Sequence, residues 1–305
     1  MTTEEIIKIA FERGKLEIPK GEVATYIPEL GKANKESLGL VLKTKDGKKY
    51  EIGDTATRFT IQSISKIISL CVALDSVGFD EVFDKVEMEP SGEAFNSLVE
   101  LDLQSNKPFN PVINSGALAV ERLVLDKYSF EELLDISRKF CMDDDIFIDE
   151  KTFNSEMSCC SRNRAIAYLL ESKGIIEGKV EETLELYTKM CSLSVTAESL
   201  SNLGLLLAND GINPFNGERY ITSRTCQIVK TIMLTCGMYD GSGEFAVEVG
   251  FPTKSGVGGG LLSVVDKKMG IGVYGPALDT KGNCIAGREI LRYLSKKLGL
   301  HIFHS

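Results

Sequence analysis

The stretch FTIQSISKIISL, residues 59 to 70, lies where the pattern of the chain changes from alternating to helical. Before it, residues 37 to 52 alternate apolar and polar side chains on both sides of residues 45 to 47, which predicts a β-hairpin with a tight turn. From residue 62 to about 237 the apolar residues recur at helical spacing. We therefore expect strands before this stretch and helices after it.

The helical part contains seven amphipathic stretches, near residues 63 to 77, 115 to 126, 129 to 140, 160 to 173, 179 to 191, 196 to 208 and 222 to 236. Strands return in residues 253 to 276, where two apolar runs flank residues 266 to 268. Two further helices are predicted, one over residues 1 to 15 and a last one over about 284 to 299.

Strands at both ends with helices between them predict an α/β fold of the α+β type. Its antiparallel sheet would be built from both termini, with an all-helical lobe inserted between them. The chain shows no internal repeat and no linker rich in Pro, Ser or Gly. We expect a single domain over residues 1 to 305, with a sheet lobe of about 1–62 and 238–305 and a helical lobe of about 63–237. Functional sites often lie in the cleft between such lobes.

The charge balance excludes some classes of partner. The chain has 44 acidic and 35 basic residues, a formal net charge of -9, and no long basic cluster, so we expect no nucleic-acid partner. The first residues lack the basic flank and apolar run of a secretion signal. Apolar runs such as IISLCVAL are too short to cross a bilayer, so we expect no membrane partner and a cytoplasmic location.

The cysteines do not suggest a metal site, and the histidines do not suggest a catalytic base. The eight cysteines form no C-x-x-C pair and have no histidines at zinc spacing, so we interpret most of them as reduced core residues. Cys159 and Cys160 are distinct in being adjacent. The only histidines, His301 and His304, lie within five residues of the terminus, so a Ser-His-Asp triad is not expected. The sequence therefore predicts no metal, and a lysine would have to act as the base.

Ser63 and Lys66 in the opening stretch form an S-x-x-K pair. Residues three apart on a helix lie on the same face, so the two side chains can touch. Ile64, Ile67 and Ile68 lie around Lys66, and burial lowers the pKa of an ammonium group by disfavouring its charge. A neutral amine beside a hydroxyl is a general base, so the pair suggests a nucleophilic serine. About one S-x-x-K is expected by chance in a chain this long, so the pair alone is not decisive.

A second motif occurs late in the chain. K-S-G at residues 254 to 256 is followed by Val257 and three glycines. S-x-x-K early and K-[ST]-G late are the signature pair of the penicillin-recognising serine enzymes, in which the second motif lines the site opposite the nucleophile. The backbone N–H groups of Ser63 and Val257 would then form an oxyanion hole, and the glycines would allow close approach of the substrate. The alternative is that the glycines mark a flexible strand end.

Seven segments carry a resemblance to a known family: GEVATYIPEL, FTIQSISK, EPSGEAFNS, NPVINSGAL, SRNRA, CGMYDGSGEFA and PTKSGVGGG. From about residue 20 to 300 the chain resembles the serine-dependent glutaminases of the β-lactamase-like superfamily. The resemblance implies hydrolysis of L-glutamine to L-glutamate and ammonia, no cofactor, and a homodimer or homotetramer. One departure is the NSGA at residues 114 to 117, where such proteins usually have NAGA.

The resemblance also implies the site residues. Ser63 would be the nucleophile and Lys66 its base, and we expect either Lys66 or Tyr239 to protonate the leaving ammonia. The substrate would be contacted by Ser63 and by Tyr26, Asn114, Glu156, Asn163, Tyr187, Tyr239 and the backbone of Val257. These residue types suit a free amino acid, because Glu156 can bind its ammonium while amide and phenol groups hydrogen-bond its carboxylate and amide. Glu156 and Asn163, seven residues apart, would share one face of a helix.

Each assignment has an alternative in which the residue serves only the fold. Asn114 could be a helix N-cap, and Glu156 an exposed charge at a helix start. Tyr187 and Tyr239 could be core aromatics whose hydroxyls reach the surface. Two nearby arginines are expected to form structural ion pairs outside the site, Arg162 and Arg164.

Two other functions stay open at this stage. A penicillin-binding D-alanyl peptidase or a β-lactamase would share both motifs, although the missing secretion signal disfavours it. A catalytically silent amino-acid sensor would share the scaffold, although it should have lost Ser63 or Lys66, and both are present. The number of subunits, activation by phosphate, the discrimination against asparagine and the physiological role are not fixed by the sequence.

Overall fold

The computed structural model describes residues 1–91 and 107–304. The segment EPSGEAFNS, residues 89 to 97, lies mostly outside them. The strands in the described part are β1 (Gly39–Thr44), β2 (Lys49–Gly53), β3 (Phe59–Thr60), β4 (Phe147–Ile148), β5 (Leu193–Val195), β6 (Thr253–Ser255), β7 (Gly260–Val265) and β8 (Met269–Tyr274).

Five of these strands form one antiparallel sheet in the order β2-β1-β8-β7-β6. The predicted hairpin is confirmed as β1 and β2, which pair up to Lys43 and Lys49. The two C-terminal apolar runs are β7 and β8, and they close at Val265 and Met269. Because β1 pairs with β8 over its whole length, the sheet is assembled from both ends of the chain, as predicted.

Most of the described helices lie, in chain order, between the N-terminal and the C-terminal strands of the sheet. They are α1 (Thr3–Lys15), α2 (Ser65–Ser76), α3 (Phe79–Lys85), α4 (Asn114–Leu125), α5 (Phe130–Cys141), α6 (Glu150–Cys159), α7 (Ser161–Ser172), α8 (Val180–Cys191), α9 (Ala197–Ala208), α10 (Ser223–Cys236), α11 (Ser242–Glu248) and α12 (Ile285–Leu298). The seven predicted stretches match α2, α4, α5, α7, α8, α9 and α10 to within two residues at each end.

Local side-chain chemistry explains why several boundaries are sharp. Thr2 and Glu5 form a capping box at the start of α1, and Ser129 and Glu132 form one at the start of α5. Each box satisfies two N–H groups that have no partner within the helix. Gly299 ends α12 with a φ of 61°, a left-handed conformation that glycine adopts without steric cost.

Three helices and one small sheet were not predicted. Helices α3 and α11 have only seven residues each, and the buried residues of α6, Thr152 and Glu156, are polar, so apolar periodicity does not reveal these helices. The strands β3, β5 and β4 form a separate antiparallel sheet and are two or three residues long. Strands this short leave no alternation to read.

The five-stranded sheet separates two layers of core. Alternate side chains of a strand point to opposite faces, and Leu40 and Leu42 lie in the cluster formed with α1 and α12. Val41 between them lies in the larger cluster, to which the central helices belong. Helix α9, inside the predicted helical lobe, rests directly on β7 and β8. The division into two lobes stays an interpretation.

Candidate active site

Ser63 lies in a sharp turn between β3 and α2. Gln62, Ser63 and Ile64 form a short 3₁₀ turn, and Gln62 has a left-handed φ of 50°, which is uncommon for a residue other than glycine. The N–H of Ile61 is held by the carbonyl of Leu193 at 2.8 Å, so the small sheet fixes the chain just before this turn. Ser63 therefore precedes the α-helix, whereas Lys66 lies in its first turn.

Lys66 is buried behind the turn, with 2% of its surface exposed. Its Nζ donates to Asn114 Oδ1 at 2.6 Å and weakly to the Val112 carbonyl at 3.4 Å. No carboxylate of the described residues lies within ion-pair distance of it, and burial lowers its pKa to about 8. A substantial fraction of this amine is therefore neutral near physiological pH.

Asn114 connects the lysine to the other polar groups. It is the first residue of α4, and the capping position before it belongs to Ile113, so Asn114 is not an N-cap. Its Nδ2 donates to Asn163 Oδ1 at 2.9 Å, and the Tyr187 hydroxyl donates to its Oδ1 at 3.3 Å. The amide thus holds three side chains from three different helices in one network.

A cavity of about 270 Å³ opens over Ser63. It is lined by Tyr26, Ile27, Gln62, Ser63, Asn114, Glu156, Cys159, Cys160, Arg162, Asn163, Tyr187 and Val257. The structure therefore brings all the predicted substrate-binding residues to one cavity except Tyr239. Tyr239 and Lys66 do not line this cavity, and both are buried.

Glu156 is the carboxyl group of this cavity. It is buried rather than exposed, and Gln62 Nε2 donates to its Oε2 at 3.5 Å. Burial raises its pKa to about 7, while Lys66 acts in the opposite direction. The helix is interrupted at Cys160, between α6 and α7. Glu156 and Asn163 therefore lie on two helices instead of on one face of a single helix. They reach the same cavity because the second helix starts at the cavity wall.

Tyr239 approaches Ser63 from the side of β6. It lies in a 3₁₀ turn before α11 with a left-handed φ of 55°. Its hydroxyl donates to the carbonyl oxygen of Ser255 at 3.2 Å, and the nearby Ser63 side chain acts to lower its pKa. Burial raises its pKa above the ordinary value for tyrosine, so the phenol is neutral at physiological pH. Tyr239 is therefore not a core aromatic with its hydroxyl at the surface.

The glycines of K-S-G-V-G-G-G allow two backbones to meet. A Cβ on Gly256 would lie 2.7 Å from the Ile61 carbonyl oxygen, and one on Gly258 would lie 2.4 Å from that of Thr60. These two glycines therefore face the segment that carries Ser63. We had expected them to face the substrate. The turn brings Val257 beside Ser63, and its N–H donates no hydrogen bond within residues 1–91 and 107–304.

Some cavity residues were not anticipated. Gln62 could have been inferred from its position directly before Ser63, the predicted nucleophile. Cys159 and Cys160 were noted only for being adjacent in the sequence. All eight cysteines are free and seven are buried, whereas Cys159 is exposed at the cavity. Arg164 forms an ion pair with Glu181 at 3.0 Å, but Arg162 lines the cavity.

Other parts of the described chain are weaker candidates for a functional site. A larger groove of about 650 Å³ contains Arg58, Asp143, Lys43 and Glu198, but these four charges neutralise one another in ion pairs. Within the described ranges, no three His, Cys, Asp or Glu side chains are grouped as metal ligands would be. The helices of those ranges are also too short or too polar to span a bilayer.

Comparison with known proteins agrees with this geometry. The glutaminase family model matches residues 21–303. Glutaminase 2 of Clostridium perfringens is 48% identical over 98% of this chain and 100% of its own length, and a glutaminase of Fusobacterium nucleatum is 50% identical over the same shares. The structure of a Bacillus subtilis glutaminase, covalently bound to 5-oxo-L-norleucine, superposes with a TM-score of 0.88 at 38% identity, covering 97% of this chain and 98% of that one. The predicted β-lactamase-like fold is thereby confirmed, and the chain belongs to the glutaminase family of enzymes.

Proposed function

We propose that this enzyme hydrolyses L-glutamine to L-glutamate and ammonia through Ser63 and Lys66, with a γ-glutamyl ester of Ser63 as intermediate. The observation that carries the proposal is the buried Lys66 amine, which lacks an ion pair among the described residues and follows Ser63 by three positions. Such an amine can accept a proton from an adjacent alcohol at neutral pH.

In the first half-reaction the Ser63 oxygen attacks the side-chain amide carbon of glutamine. The serine proton passes to the neutral Lys66 amine, and the N–H groups of Ser63 and Val257 hold the oxyanion. The carbon–nitrogen bond then breaks, and the leaving nitrogen takes a proton from Lys66, directly or through the Tyr239 hydroxyl. Ammonia departs, and the γ-glutamyl group is left as an ester.

The second half-reaction uses water in place of the serine hydroxyl. Water attacks the ester carbonyl and gives one proton to Lys66. The bond to the Ser63 oxygen breaks, and that oxygen recovers a proton from the lysine. L-glutamate is released and the side chains return to their starting protonation states.

The rest of the cavity suits the two ends of an amino acid. The Glu156 carboxylate would bind the substrate ammonium, and the approaching cation would favour its ionised form. Asn114, Asn163 and the hydroxyls of Tyr26 and Tyr187 would hydrogen-bond the carboxylate and the amide. The Bacillus subtilis glutaminase formed its covalent complex by reaction with 6-diazo-5-oxo-L-norleucine, a compound shaped like glutamine, which supports an enzyme nucleophile in this fold.

The test is Ser63→Ala. We expect kcat for ammonia release from glutamine to fall by about 10³-fold or more, with the thermal transition preserved. Mass spectrometry of the quenched wild-type reaction should find the γ-glutamyl adduct on the peptide containing Ser63. Ser76→Ala, at the far end of α2, is the matched control and should keep wild-type activity. Full activity in Ser63→Ala would end the proposal, and asparagine assayed alongside would measure the substrate discrimination.

We further propose that the enzyme is a homodimer or homotetramer, as the family resemblance implies, and that it is located in the cytoplasm. Light scattering after size-exclusion chromatography at assay concentration measures the subunit number, and a monomer would contradict the proposal. Fractionation of the source cells with an antibody to this chain tests the location. Recovery in the membrane or secreted fraction would contradict it.

A further inference from the structure

Glu121 is a buried carboxyl group that the proposed reaction does not use. It lies on α4, seven residues after Asn114, and 1% of its surface is exposed. Its Oε1 accepts a hydrogen bond from the hydroxyl of Ser69, which lies on α2 and is equally buried. Its Oε2 has no hydrogen-bond partner among the described residues. A buried carboxyl group with one partner costs the fold stability, and an apolar side chain of this size would avoid that cost.

The Ser69–Glu121 pair lies next to the contact between Lys66 and Asn114. Ser69 follows Lys66 by three residues on α2, so the two side chains are neighbours one turn apart. Glu121 follows Asn114 by seven residues on α4, and seven residues return a helix to nearly the same face. The same two helix faces therefore meet through two hydrogen bonds, one made by Lys66 and one by Ser69.

These two bonds are the directional part of the contact between α2 and α4. Within residues 1–91 and 107–304, no other hydrogen bond joins these two helices. The other buried side chains of α2 between positions 67 and 74 are apolar: Ile67, Ile68, Leu70, Cys71, Val72, Ala73 and Leu74. Apolar burial has no preferred direction, whereas a hydrogen bond requires a narrow range of distances and angles. The two bonds therefore fix how far α2 lies along α4.

The position of α2 along α4 decides where the Lys66 amine lies. The Lys66 Nζ donates to Asn114 Oδ1 at 2.6 Å, so a shift of either helix would stretch this bond. The turn that carries Ser63 is held separately, because the N–H of Ile61 donates to the Leu193 carbonyl at 2.8 Å. A shift of α2 would thus move the base relative to its acceptor and to the nucleophile. Displacements of about 1 Å in such a group lower reaction rates strongly.

The carboxyl group of Glu121 lowers stability at neutral pH. Burial raises its pKa to about 7, and the Ser69 hydroxyl acts in the opposite direction. The ordinary value is 4.5, so the unfolded chain ionises first as the pH rises, and stability falls between about pH 4.5 and 7. Glu121→Gln removes this loss and should raise the thermal transition at pH 8. A group that lowers stability is not explained by a purely structural role.

We propose that Glu121 is a positioning residue for the reaction: by accepting the hydrogen bond of Ser69, it fixes α2 along α4 and so places the Lys66 amine. It does not line the cavity, and it acts through α2. The inference rests on the proposed function of Lys66 as base and adds a residue to it.

The experiment compares Ser69→Ala, Glu121→Met and the double variant. Methionine keeps the length of glutamate and removes the acceptor. We expect kcat for glutamine to fall about tenfold in each single variant, while KM changes less than about threefold, because the substrate contacts are untouched. The double variant should be within about threefold of Glu121→Met, because both substitutions remove the same hydrogen bond. Unchanged kcat, or losses that simply multiply, would overturn the proposal.

The pH profile is a readout that a loss of stability alone would not move. The bond to Asn114 favours the charged form of the Lys66 amine, so a displaced amine should have a lower pKa. If Lys66 is the base, kcat/KM rises with pH around the pKa of this amine, which is about 8. In Glu121→Met the midpoint of this rise should lie at least about half a pH unit lower than in wild-type enzyme. A lower kcat with an unshifted midpoint would overturn the proposal.

Two further variants serve as controls. Glu121→Gln keeps an acceptor oxygen for Ser69 and should retain at least about a third of wild-type kcat. Ser137→Ala removes another buried helix serine, one that bonds the Leu133 carbonyl within α5, and should leave kcat unchanged. If Glu121→Met loses its thermal transition, Ser69→Ala decides alone. A loss in Glu121→Gln as large as that in Ser69→Ala would overturn the proposal.

The wild-type enzyme separates this inference from the proposed function. Wild-type enzyme that releases no ammonia from glutamine would refute the proposed function, and the role of Glu121 with it. Wild-type enzyme that is active and shows the rise near pH 8, with Glu121→Met identical to it in kcat and in midpoint, would refute only the role of Glu121.

Discussion

Burial sets the proton affinities of the individual residues in this site. It lowers the pKa of Lys66 to about 8 and raises that of Glu156 to about 7, so both groups titrate close to physiological pH. Their mutual attraction partly opposes both shifts. A base is most effective when its pKa lies near the working pH, which is the condition that burial creates for Lys66.

The pH dependence of turnover follows from the proposed role of Lys66 as base. Only the neutral amine can accept the serine proton, so kcat/KM should rise with pH and level off above an apparent pKa near 8. Steady-state ammonia release between pH 6 and 9.5 measures this rise in kcat/KM. In Lys66→Met, kcat should fall at least about 100-fold, and the rise of kcat/KM near pH 8 should be absent. A wild-type rate that falls as the pH increases from 7 to 8 would contradict the assignment.

At the scale of elements, the site depends on close contacts between backbones. The turn after β6 lies against the segment before Ser63, and α9 lies on the sheet that carries β6. A Cβ on Gly272 of β8 would lie 1.9 Å from the Ala197 carbonyl oxygen at the start of α9. Any other side chain at this position would have to move the helix away from the sheet.

Gly272→Ala should therefore lower the free energy of unfolding by about 3 kcal/mol, since the close-packed backbone cannot make room. Urea denaturation followed by circular dichroism measures the change. Gly243→Ala is the matched control, because this exposed glycine of α11 has no atom within 4 Å of an added Cβ. That substitution should leave stability unchanged or raise it by up to about 1 kcal/mol. Equal stabilities for the two variants would show that α9 does not pack as described.

At the scale of the whole molecule, the two ends of the chain close one layer of the core. Helices α1 and α12 pack together on the face of the sheet that bears Leu40 and Leu42. Phe11 of α1 is 3% exposed in this layer. Its ring packs over Gly53 of β2, where an added Cβ would lie 2.4 Å from the Phe11 ring. The first helix is therefore part of the core.

Phe11→Ala should lower the free energy of unfolding by about 3 to 5 kcal/mol, because it leaves a void in a dense core. The specific activity of the remaining folded enzyme at low temperature should not change. Ile9 lies on the outer face of the same helix, 39% exposed, and Ile9→Ala should cost less than about 1 kcal/mol. Calorimetry of the three proteins measures the difference. Similar losses for both variants would contradict the packing of α1.

Prediction from sequence succeeded where a signal repeats along the chain. Helices of twelve residues or more show several turns of apolar periodicity, so α2, α4 and α8 were placed to within two residues. The site residues were predicted through short motifs that the family resemblance supplies, and Glu156 was among them despite its lack of any local signal. The residues of β3 and β5 were missed, since their structure comes from pairing across 134 positions, from Thr60 to Ser194.

The sequence by itself determined the order of strands and helices and the chemical groups available to the site, because both depend on residues close together in the chain. Only the tertiary structure decided how those groups act. It buried Lys66 against Asn114, broke the helix between Glu156 and Asn163, and joined Ser69 to Glu121 across two helices. Proton affinities and hydrogen-bond partners depend on what surrounds a group in three dimensions, and distant segments of the chain supply those surroundings.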